Sequence, residues 1–107
     1  MTSSNDPFDT LRFIRPAVLH FATLMEQKLR KRDDKPCWEG ETMEALLTFM
    51  EMEVRELDQA LIENGPATAT IEETVDVANY AMMLADNLGP RLGSGRKNKV
   101  TVIPNDS

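Results

Sequence analysis

Apolar positions recur at helical spacing along most of this chain. Phe8, Leu11 and Ile14 begin a pattern of threes and fours, and Val18, Phe21, Met25 and Leu29 continue it beyond Pro16. Proline suits the first turn of a helix but not its interior, so the spacing predicts a short leading helix and a longer one ending near Arg32. Residues 33–40, DDKPCWEG, carry turn formers at both ends and predict a loop. A second helix is expected from about Glu41 to Asn64, with Leu46, Leu47, Met50, Val54, Leu57 and Leu61 as its apolar stripe and Asn64-Gly65-Pro66 as its stop. A third should run from about Ile71 to Leu88, closed by Gly89 and Pro90. Apart from a brief extended piece at Val100–Ile103, nothing reads as a strand, and no repeat or Gly-rich phosphate loop is present. The pattern predicts an all-α helical bundle of about three main helices. Three helices alone cover this much apolar surface poorly, so completion by oligomerisation is expected.

Length and charge then set the edges. A chain of 107 residues supports one small domain. Residues 1–89 carry eight Lys/Arg against seventeen Asp/Glu, whereas residues 90–107 carry four against one. The expected organisation is a frayed N-terminus over 1–7, a helical domain over 8–89 and a basic, mobile tail over 90–107. With a net charge of −6 the overall field repels nucleic acid, so no stable nucleic-acid partner is expected. The single cysteine, Cys37, forms no internal disulfide, and neither a leader nor a long apolar span is visible. The expected location is cytoplasmic, in a bacterial host or a phage-infected cell, with no membrane partner.

Two acidic pairs carry the candidate chemistry. Glu53 and Glu56 lie on the second helix, Glu73 and Asp76 on the third, and residues three apart project from one side of a helix. A helical hairpin would bring the pairs together. At 100° per residue Glu53 falls about 70° from the centre of the apolar stripe, and Glu56 is flanked by Phe49 and Ala60, so both are expected to leave the solvent face. Glu73 projects between Tyr80 and Leu84 and Asp76 points with Tyr80 and Met83, while Glu72 and Asp86 take the polar side. Carboxylates among apolar neighbours are costly unless paired or metal-bound. Oxygen-only donors favour a hard cation, Mg²⁺ before Mn²⁺. Two plainer explanations compete: Glu73 follows Thr70 by three residues, as in a capping box, and Glu56 suits an ordinary exposed helix position.

The order Glu-x-x-Glu, a 16-residue gap and Glu-x-x-Asp resembles the signature of the MazG-like all-α nucleoside triphosphate pyrophosphohydrolases. The preceding stretch FATLMEQKLRKRDDKPCWEG resembles the phage and prophage branch described as dATP/dGTP pyrophosphohydrolases, and the likeness covers roughly residues 10–88. It implies hydrolysis of a (deoxy)nucleoside triphosphate, a purine dNTP by the branch, to the monophosphate and pyrophosphate. Glu53, Glu56, Glu73 and Asp76 match the family's metal-binding acids, and one of the two catalytic glutamates, Glu53 or Glu56, would orient or deprotonate the attacking water. Met52 stands where an acidic residue is common, and Pro36-Cys37 where small glycines are usual.

An anionic substrate at an acidic site needs cations. Lys28, Arg30, Lys31, Arg32 and Lys35 cluster before Trp38, and Lys28 and Lys35 match the family's phosphate-contacting positions. Trp38 is expected to stack on the base or to pack as a lid. Asn79 would bind a metal water or phosphate, or bridge two helices, and Tyr80 is either core or pocket wall. His20 reads as packing or solvent-facing, and the seven methionines as core filler. The expected assembly is a homodimer or homotetramer. The competing class is a non-catalytic helical interaction protein whose acids cap helices and form salt bridges. A helix-turn-helix regulator would need a basic recognition helix, and the third helix is acidic.

Overall fold

The structure, a computed structural model, describes Thr10, residues 12–35 and residues 37–89. Phe8, Leu11, the N-terminal segment, the basic tail and Val100–Ile103 lie outside the described residues. Within them the fold is all-α, with helices α1 (Pro16–Arg30), α2 (Met43–Glu63) and α3 (Ala67–Leu88) and a 3₁₀ turn at Trp38–Gly40. No strand occurs among the described residues. No helix among them is long and apolar enough to cross a membrane.

The chain divides into two compact units, Met1–Lys35 and Pro36–Ser107. In the first, Pro16 opens α1 as the sequence pattern predicts, since its fixed φ suits the first turn and its missing N–H is no loss there. The helix stops at Arg30, two residues short of expectation. Lys31 and Arg32 bond back three residues, to Lys28 and Leu29 carbonyls at 3.1 and 2.9 Å, which tightens the end into turns.

In the second unit α2 and α3 form a helical hairpin. Thr42 caps α2, its Oγ1 accepting from the Ala45 N–H at 3.0 Å, so the helix starts at Met43 rather than Glu41. Asn64 ends it in the left-handed region at φ 53°, ψ 46°, with its N–H directed at the Ala60 and Leu61 carbonyls. α3 then begins at Ala67, four residues earlier than expected. Pro66 at φ −60° leads directly into the helix, and its carbonyl accepts from Ala69 and Thr70.

The packed face of α2 is turned relative to the apolar stripe read from sequence. Leu46 is buried, and Met43, Ala45, Met50, Glu53, Leu57 and Ala60 are half-buried. Leu47, Val54 and Leu61 are instead 44%, 44% and 62% exposed. The predicted stripe was wide enough to allow either edge to pack, and the hairpin selects the edge carrying Glu53. On α3 the buried positions are Val75, Asn79, Met83 and Asp86. The placement of Asp86 on the polar side is therefore overturned. It lies seven residues beyond Asn79 and three beyond Met83, on the same stripe.

Candidate metal centre

The hairpin sets the acids level with one another. Glu53 stands ten residues before the end of α2, and Glu73 and Asp76 stand six and nine residues after the start of α3. At 1.5 Å per residue these are about 15 Å and about 9 to 14 Å from the turn. Carboxylate oxygens of Glu53, Glu73 and Asp76 accordingly lie within 4.8 Å of one another, and all three residues are half-buried.

Burial pushes the Glu53 carboxyl up from 4.5 to about 7, helped by the charges of Glu56, Asp76 and Glu73 and by a hydrogen bond with Glu73. Glu73 Oε1 is closed to solvent. The cluster therefore concentrates negative charge where water screens it poorly, and a proton near neutral pH relieves part of the repulsion. A bound cation would relieve it more fully. The all-oxygen donor set suits a hard divalent ion.

The capping-box explanation of Glu73 fails on geometry. Thr70 is the fourth residue of α3 rather than its cap, its Oγ1 donates to the Pro66 carbonyl at 3.4 Å, and Glu73 is a full turn further in. Glu56 meets the opposite outcome. Predicted to leave the solvent face, it is exposed and stands outside the three-carboxylate group. It is 60° around the helix from Glu53 by the 100° step, at the edge of the packed face, and it acts on the cluster through its charge on Glu53.

The remaining predicted residues separate by unit. Lys28, half-buried, is in the last turn of α1, and the exposed Lys35 follows in the same first unit. His20 is exposed. In the second unit Asn79 is 5% exposed with its Oδ1 closed to solvent, on the buried stripe of α3. Tyr80 packs on Phe49, ring centroids 5.7 Å apart and planes tilted by 41°. Trp38 is half-buried, and its Nε1 donates to Asp86 Oδ2 at 3.0 Å while its carbonyl accepts from Asn87 Nδ2 at 3.0 Å. Sequence reasoning missed Asp86 and Asn87. The available signal was the spacing of Asp86 from Asn79 and Met83.

Compared with known proteins, the chain matches no family model, and no curated protein or solved structure matches it. Fold and site together define an all-α chain with a three-carboxylate cluster spanning a helical hairpin.

Proposed function

We propose that this chain is a Mg²⁺-dependent nucleoside triphosphate pyrophosphohydrolase of the MazG-like type, with Mn²⁺ as a possible substitute, acting on a purine dNTP. The observation that carries the reading is the convergence of Glu53, Glu73 and Asp76 oxygens within 4.8 Å from two helices. The spacing of these acids and Glu56, which resembles that family, supplies the substrate class. Glu53, Glu73 and Asp76 would hold the ion, and Glu56 adds the fourth negative charge from the solvent edge. When bound, the ion neutralises phosphate oxygens and acidifies water. One of the two glutamates of α2, Glu53 or Glu56, would orient the attacking water toward the α-phosphorus and take up its proton. The substrate leaves as monophosphate and pyrophosphate. By the same resemblance Lys28 and Lys35 would contact phosphates, Asn79 a metal water or phosphate, and Trp38 the base, with Tyr80 as pocket wall.

Purified protein with Mg²⁺ should release pyrophosphate, not orthophosphate, from at least one dNTP. Absence of turnover across all NTPs and dNTPs with either ion would instead favour the non-catalytic interaction protein, a reading supported by the exposed Leu47, Val54 and Leu61. That same row, one residue every seven, supports a homodimer or homotetramer. Light scattering at micromolar concentration should give two or four chain masses. A monomer mass would set the assembly aside.

A further inference from the structure

Trp38 is held at two points by consecutive residues of α3. Its indole N–H, the only hydrogen-bond donor of the side chain, is committed to Asp86, and its carbonyl accepts from Asn87. Asp86 is 4% exposed, and a carboxylate so placed is a costly way to hold a turn that apolar packing could also hold. What the carboxylate adds is direction, because a hydrogen bond at the Nε1 edge narrows the orientations open to the ring. With the N–H occupied, a ligand meets Trp38 only through its aromatic face, and the residue is half-buried rather than enclosed. Asp86 lies ten residues beyond Asp76, about 15 Å along α3. An extended nucleoside triphosphate is of that order of length.

We infer that Asp86 is a positioning residue that sets Trp38 as a stacking platform for the base of a nucleotide whose phosphates lie at the carboxylate cluster. This rests on the nucleotide reading of that cluster. Trp38 then recognises the base by its face and not by its exocyclic groups, so it favours purines over pyrimidines by stacking area and separates adenine from guanine weakly.

Trp38 is the chain's single tryptophan, so its fluorescence reports this site alone. Wild type, Asp86→Asn, which keeps an acceptor, and Asp86→Leu, which removes it, are titrated with a dATP analogue non-hydrolysable at the α–β bridge, in Mg²⁺. Calorimetry with inorganic tripolyphosphate runs in parallel. The expected result is a saturable change in Trp38 emission in wild type and Asp86→Asn, and binding about tenfold weaker in Asp86→Leu, with tripolyphosphate affinity equal in all three. A purely structural latch would weaken both ligands together, and that outcome overturns the inference. So does an unchanged emission when calorimetry shows the analogue bound. If Asp86→Leu does not fold, Trp38→Phe and Trp38→Ala decide by calorimetry: the phenylalanine variant should stay within threefold of wild type and the alanine variant should lose about tenfold, and equal losses overturn the inference. Bound analogue without turnover sinks the hydrolase reading and spares this one. Turnover without a Trp38 response does the reverse, and binding of neither ligand removes both.

Discussion

Replacing Glu53 with glutamine is expected to reduce pyrophosphate release by about 10³-fold, within the usual range for losing a group that handles the proton, while leaving the helices intact. Glutamine keeps the shape and one oxygen but removes the charge and the ability to accept a proton. Glu53 is the single contribution of α2 to the three-carboxylate group, so no neighbour on that helix substitutes for it. Glu56→Gln should cost less, about tenfold, because Glu56 is exposed and stands outside the three-carboxylate group. Initial rates at saturating Mg²⁺, with circular dichroism as the control for folding, provide the check. A Glu53→Gln rate within tenfold of wild type would mean that the cluster is not the reacting site.

The same substitution should stabilise the metal-free protein. Glu53 has its carboxyl raised from 4.5 to about 7 in the folded state, chiefly by burial. Between those values the folded chain binds more protons than the unfolded one, so this residue's contribution to stability is complete below 4.5 and is lost as the pH rises through 7. At pH 8 the ionised carboxylate is a liability that glutamine does not share. Allowing for partial exposure, Glu53→Gln is expected to gain about 1 to 2 kcal/mol there, a rise of roughly 5 to 10 °C in Tm for a domain of this size. At pH 4 the two proteins should melt together. Saturating Mg²⁺ at pH 8 should narrow or reverse the gap, since binding to the folded state stabilises the protein that binds better. Melting curves at three pH values, with and without Mg²⁺, measure this. A variant less stable than wild type at pH 8 without metal would show that the carboxylates are already compensated within the protein.

Opposed effects on activity and stability are what a site built from mutually repelling groups should give. They also explain how much of it was legible in the sequence. The i, i+3 pairs and the Gly-Pro turn between two long helical patterns were enough to place Glu53, Glu73 and Asp76 together, because hairpin geometry follows from element lengths. The periodicity of α2 was less informative about which edge packs. Leu47, Val54 and Leu61 are as apolar as the residues that pack, and only the contact with α3 turns Glu53 inward and leaves Glu56 outside. Thr70 misled for a local reason: a threonine three residues before a glutamate has the spacing of a capping box, but Pro66 had already started the helix at Ala67. Asp86 was hidden by its charge. Its burial depends on the Trp38 N–H, contributed 48 residues earlier in the chain, and helical spacing within α3 says nothing of that partner.

The position of attack tests the central claim most directly. Hydrolysis of a dNTP in H₂¹⁸O with Mg²⁺, followed by mass spectrometry of the products, should place the label in the nucleoside monophosphate and leave the pyrophosphate unlabelled. Label in pyrophosphate or orthophosphate, or none in either product above the protein-free control, would contradict water attack at the α-phosphorus directed by Glu53, Glu56, Glu73 and Asp76.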